Sequence, residues 1–170
     1  LLTVLVVVLL TNAYNLIDGI DGLCSGLSIL ALFTFGVWFL THHIYVYAMM
    51  SMAMGGVVTI FFFYNVMGHR MKIFMGDTGS MALGGAVVGL AVTCRLEVVL
   101  IGLGLVYLLE ALSVILQVAW FKLTGKRLFL MSPIHHHYQK KGIFETKIVI
   151  RFWIVSMLLS LAALATLKIR

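Results

Sequence analysis

The sequence predicts an all-α, polytopic membrane protein: a transmembrane helical bundle of five complete spans plus the end of a sixth. Three observations predict it. Hydrophobic residues make up 62% of the 170 against 11% charged, mean hydropathy is +1.12, and the apolar residues fall in runs close to bilayer length. One proline and sixteen glycines fit closely packed helices rather than a disordered chain. The whole of 1–170 reads as a single transmembrane domain.

Residues 1–11 are apolar but shorter than the roughly 20 residues a span needs. Because Leu1 stands in mid-run without a methionine, the chain is expected to be the C-terminal portion of a longer one, and no signal-peptide pattern is visible. Complete spans are predicted over 23–40, 48–64, 79–94, 98–121 and 148–168. Two connections are short, 41–47 and 95–97, and three are polar, 12–22, 65–78 and 122–147.

Successive spans alternate in direction, so the three polar connections share one face. They hold Arg70, Lys72, Lys122, Lys126, Arg127, Lys140, Lys141 and Lys147, eight of the twelve basic residues, whereas the short connections hold only Arg95. Cytoplasmic loops carry such an excess, and Lys168 and Arg170 at the far end are outvoted by it. The polar face is therefore expected in the cytoplasm. A net charge of +6 on segments this apolar leaves no soluble basic face for nucleic acid and points to anionic lipid headgroups or phosphorylated substrates. Cys24 and Cys94 fall near opposite ends of the membrane, beyond the ~7 Å Cα limit of a disulfide, and read as packing residues.

The first polar connection reads NAYNLIDGIDGL, with Asp18 and Asp21 three apart and Gly19 and Gly22 beside them. In a helix that spacing puts both carboxylates on one face, and the glycines let a backbone approach a ligand. A polar helix-entry turn explains the loop equally well. Asn12 and Asn15 add amides able to bind a base or sugar. The second connection ends in IFMGDTGSMALGG, where Asp77 is placed to cap the following helix beside Gly76, Thr78 and Gly79. A helix N-terminus attracts anions, and an aspartate there can hold magnesium against phosphates. Taken alone, the capping role is the better explanation. Gly85 and Gly89 form a small-xxx-small pair expected to pack against another helix.

The third connection contains MSPIHHHYQKKG. Three adjacent histidines point in different directions, which suits a phosphate-contacting rim better than a metal chelate, and an incidental polar loop is the plainer alternative. Inside the fourth complete span, Glu110, Ser113 and Gln117 recur on one helix face. An ionisable group at membrane depth is a functional candidate or one partner of an interhelical hydrogen bond. Trp38, Trp120 and Trp153 cluster near span ends as an interfacial belt.

Together NLIDGIDGL, FMGDTGSMALGG, SVILQV and SPIHHHYQKKG resemble the polyprenyl-phosphate hexosamine-1-phosphate transferase family over essentially the whole chain. The histidine triplet after Pro133 favours the branch whose donor is UDP-N-acetylmuramoyl-pentapeptide over relatives using another UDP-N-acetylhexosamine. The resemblance implies a magnesium-dependent transferase in which undecaprenyl phosphate attacks the donor's β-phosphate, giving lipid I and UMP. It implies Asp77 as the metal-binding aspartate, and Asn15, Leu16, Asp18 and Asp21 as a nucleoside-pocket loop. Phe74 matches the aromatic that stacks on uracil, Gln117 a uracil-pocket amide, and Asn65 and Gly76 residues close to the site. His135, His136 and His137 match the histidine motif near the diphosphate. The family's paired aspartates are implied upstream of Leu1, because no adjacent Asp–Asp pair exists here. Expected partners are the nucleotide donor, undecaprenyl phosphate and membrane lipid, with a homodimer left open. A transporter is disfavoured because the carboxylates other than Glu110 gather at one surface. An inactive fragment that still binds nucleotide is the remaining alternative.

Overall fold

A computed structural model describes residues 2–68, 72–94 and 97–166. Among them the chain forms α1 (Leu2–Ile17), α2 (Leu23–Thr41), α3 (Tyr45–Met67), α4 (Gly76–Thr93), α5 (Glu97–Thr124), α6 (Ile134–Lys140) and α7 (Glu145–Thr166), with no strand. Among the described residues four segments are long and apolar enough to cross a membrane: Leu23–Thr41, Tyr45–Met67, Gly104–Thr124 and Glu145–Ala165. The chain is thus a multi-pass helical membrane protein. The span expected over 79–94 is helical as part of α4 but falls outside those four, because its first turns carry Asp77, Thr78 and Ser80.

The organising element is α2. Leu23, Leu27, Leu32, Phe35 and Phe39 are fully buried, and so are Ser28 and Gly26, so the helix is enclosed on nearly every side. It packs chiefly on α3 and α7, while α1 packs on α4 and α5. Tyr14 of α1 stacks on Tyr107 of α5 at 4.1 Å between ring centroids. By contrast α3 keeps Val57, Ile60 and Phe63 exposed, the surface expected to meet lipid.

Three local expectations are corrected. First, α1 continues to Ile17, so Asn12, Asn15 and Leu16 are helical and the first polar connection shrinks to 18–22. Asn12 satisfies its amide within the helix by donating to the Val8 carbonyl at 2.7 Å, so polarity does not break the turn. Asp18 and Asp21 fall in the turns beyond, so of the two readings of this loop the helix-entry turn is the one the backbone adopts. Second, Asp77 does not cap α4: Met75 occupies the cap without a side-chain bond, and Gly76 makes the entry with φ +66°, a backbone state that glycine tolerates. Asp77 sits in the first helical turn instead. Third, among the described residues Gly85 and Gly89 have no neighbour within 4 Å of where a Cβ would stand, so no packing seam is found there. That seam runs through Gly84, where a Cβ would lie 2.8 Å from Tyr14 Cβ.

The cysteines are both free, as expected. Arg70, Arg95, Lys168 and Arg170, used in the charge count, lie outside the described residues.

Candidate functional site

Residues 18–22 form a tight crossing between α1 and α2, and parts of α3, of α4 with its approach, and of α6 close on it. From α4 and its approach come Gly76 and Asp77. The Gly76 backbone donates a hydrogen bond to the Asp18 carboxylate. Asn15 Nδ2 donates to Asp77 Oδ1 at 3.0 Å and to Ser80 Oγ at 3.2 Å, tying α1 to the first turns of α4. Ser80 in turn donates to the Gly76 carbonyl at 3.0 Å.

From α3 comes Asn65, buried at 6% exposure and bonded on both sides of its amide. Its Oδ1 accepts the Gly22 N–H at 2.7 Å, and its Nδ2 donates to the Ile73 carbonyl at 2.9 Å and reaches Asp21 Oδ1 at 3.4 Å. Lys72 closes the same corner by an ion pair with Asp21, and its ammonium stands 5.5 Å from the centre of the Phe74 ring. Phe74 itself is 73% exposed.

From the third polar connection comes α6. His135 is fully buried: its backbone N–H donates to Glu110 Oε1 at 3.2 Å, and its Nδ1 lies 3.3 Å from Glu110 Oε2. Its Nε2 faces Gly19, where a Cβ would come within 2.7 Å of it and 3.1 Å of His136 Nε2. Gly19 is therefore the contact point between the first and third polar segments. His136 bonds through Nδ1 to Gln139 Oε1, and Gln139 Nε2 donates to Glu145 at 2.9 Å. His137 turns away, and its Nδ1 accepts the Leu130 N–H at 3.1 Å. The divergence expected of adjacent positions holds for His137 alone, since the His135 and His136 rings lie 4.2 Å apart between centroids and both turn to Gly19.

Glu110 and Ser113 of the α5 stripe are both buried on one face, as expected. Gln117, further along that face, holds the Phe129 backbone with both ends of its amide, Oε1 accepting at 2.8 Å and Nε2 donating at 3.2 Å. It lines a separate groove of about 490 Å³ with Lys122, Arg127 and Lys140.

Asn15, Asp18, Asp21, Asn65, Gly76, Asp77, His135 and His136 are thus brought to one place, while Leu16, Phe74, His137 and Gln117 stand around it. Sequence reasoning passed over Lys72, Ser80 and Gln139. Ser80 alone had a usable signal, three residues after Asp77 in GDTGS and so on the same side of the helix.

Electrostatically the site is a gathering of carboxylates. Burial, opposed by the Gly76 hydrogen bond and reinforced by the charges of Asp21 and Asp77, raises Asp18 from 3.8 to about 6. Such a group favours the folded state while protonated. That contribution is complete below pH 3.8 and is lost as pH rises through about 6. Without divalent cation, the melting temperature is expected to rise as pH falls from 7 to 5, and Asp18→Asn should flatten the profile; an unchanged slope in that variant refutes the assignment. Among the described residues, no three His, Cys, Asp or Glu side chains stand close enough to hold a metal ion by themselves.

The fold is a bundle of membrane-length helices with a carboxylate-rich, glycine-tight crossing at 18–22, and comparison with known proteins gives its family. The profile of Glycosyl transferase family 4 matches residues 1–95, more than half of the chain, and the chain belongs to that family. Its relatives include proteins named phospho-N-acetylmuramoyl-pentapeptide-transferase. The one from Bacillus pumilus is 47% identical over 150 residues, covering 88% of this chain and 46% of that protein. The one from Moorella thermoacetica is 46% identical over 169 residues, covering 99% and 52%. The one from Dinoroseobacter shibae is 46% identical over 175 residues, covering 94% and 48%. The chain spans about half the length of the curated relatives it matches.

Proposed function

We propose that the chain carries the nucleotide-facing part of a magnesium-dependent phosphoglycosyl transferase of the MraY type, which moves phospho-N-acetylmuramoyl-pentapeptide from its UDP donor to undecaprenyl phosphate, with release of UMP. The observation that carries this reading is the convergence of Asp18, Asp21, Asp77 and His136 on Gly19 and the 18–22 crossing, at one end of a bundle whose relatives bear that name.

Asp77 is exposed, with Oδ1 accepting from the Asn15 amide, and is the group proposed to hold magnesium. Magnesium is held characteristically by one or two carboxylates, water and substrate phosphates rather than by an all-protein cage, so an acidic corner without a three-ligand cluster fits it. When bound, the ion would neutralise charge on the diphosphate oxygens. Asn15 orients the Asp77 carboxylate, and the Gly76 turn exposes backbone beside it. Asp18 and Asp21 lie on the crossing that would grip the nucleoside, with Phe74 offered to the uracil ring. His136, whose Nε2 faces Gly19, would donate to a phosphate oxygen, whereas buried His135 braces the crossing from below. The basic bias proposes the cytoplasmic face of the inner membrane, where a soluble donor and a lipid acceptor meet. Gln117, with its amide engaged by Phe129, would have to release that backbone to serve a base.

A direct test offers full-length protein in undecaprenyl-phosphate liposomes either UDP-N-acetylmuramoyl-pentapeptide or UDP-N-acetylglucosamine. Product is expected from the first. Product from the second alone overturns the donor assignment.

A further inference from the structure

Trp153 stands about two turns into α7, at sequence distance 131 from the residue it bonds: its indole Nε1 donates to the Gly22 carbonyl at 3.2 Å. Gly22 is the last residue of the crossing and the N-cap of α2, with φ +75°. Its carbonyl already accepts the Gly26 N–H at 3.1 Å, so the indole takes the second lone pair. Its N–H is held by Asn65 from α3. A Cβ at position 22 would meet Val66 at 2.7 Å and Phe62 at 3.1 Å. One residue is therefore gripped by three helices, α2, α3 and α7, immediately after Asp21.

The seat of the indole is equally specific. A Cβ on Gly26 would lie 2.3–2.4 Å from Cε2, Nε1 and Cζ2 of Trp153, so only glycine admits the ring in this position. Phe62 flanks it at 5.3 Å between ring centroids. An interfacial tryptophan anchored only by the membrane needs neither a glycine seat nor a protein acceptor.

We infer that Trp153 is a positioning residue for the 18–22 crossing: through the Gly22 carbonyl it sets the path of the backbone that carries Asp18 and Asp21. This rests on the proposed transferase reading only for its kinetic consequence.

The test uses the full-length protein in detergent or nanodiscs, with hydrogen–deuterium exchange over residues 18–22 as the activity-independent readout. Trp153→Phe keeps a ring beside Phe62 but removes the N–H, and is expected to speed exchange across the crossing. Gly26→Ala pushes the indole off its seat and should reproduce the effect, and the double variant should be no worse than either single one. In turnover, Trp153→Phe should raise KM for the nucleotide donor about fivefold, the factor for one neutral hydrogen bond, leaving KM for the polyprenyl acceptor unchanged. Unchanged exchange at 18–22, or a lowered melting temperature with no change in exchange there, overturns the inference. Altered exchange in a wild-type background that transfers no sugar phosphate upholds it and sinks the transferase reading instead.

Discussion

Asp77→Asn in the full-length protein is expected to lower turnover about a thousandfold or more while leaving expression and melting temperature near those of the wild type. The asymmetry follows from where the residue sits. Its side chain is exposed in the first turn of α4, and among the described residues its side-chain partner is the Asn15 amide at 3.0 Å. Asparagine keeps an oxygen for that amide, so the link between α1 and α4 survives. What it removes is the negative charge proposed to hold magnesium. Metal stabilisation of charge on a transferring phosphoryl group amounts to several kcal/mol, and each 1.36 kcal/mol is tenfold in rate. Radiolabelled donor turnover in proteoliposomes checks it. Activity within tenfold of wild type would remove Asp77 from the metal site, and restoration by raised magnesium would count in favour of the assignment.

Glu110→Ala is expected to do the reverse, acting on stability before chemistry. Glu110 is fully buried in α5, and it accepts the backbone N–H of His135 at the start of α6. Truncation leaves that N–H buried without its acceptor, at about 1–3 kcal/mol, and opens a void where a large side chain had been. A loss of about 3 kcal/mol corresponds to a fall of roughly 6–12 °C in melting temperature for a chain of this size. Glu110→Gln keeps an oxygen for the N–H and should recover most of it. Thermal unfolding of the two variants side by side decides the point, since equal damage in both would mean that charge rather than the acceptor matters.

The helical class and the grouping of polar segments were legible because bilayer length and hydropathy dominate this composition. The histidine and aspartate motifs were legible as residue types. Their arrangement was less so. Asn12 and Asn15 read as loop residues because an asparagine's habit of breaking helices is visible in a sequence, whereas its bond to Val8 or to Asp77 is not. Asp77 read as a cap because the rule weighs side chains, and here a glycine with φ +66° made the turn. Gly85 and Gly89 matched a packing motif while Gly84, one position away, carried the contact with Tyr14. The short helix α6 lay hidden in a polar connection because seven residues are too few for periodicity to speak. Trp153 was taken for an interfacial belt residue, since nothing local announces a partner 131 positions earlier.

That separation also bears on the order in which the protein is made. Ribosomes add roughly 5–20 residues per second, so Trp153 is synthesised about 7–26 s after Gly22. His135 follows Gly19 by a similar interval. Until those later segments arrive, the acidic crossing has α3 beside it but neither the indole nor the imidazole that hold it in the finished protein. A nascent chain stalled before α6 would therefore have the crossing held by Asn65, Lys72 and the start of α4 but not by His135 or Trp153, so its set of contacts is completed only with α7.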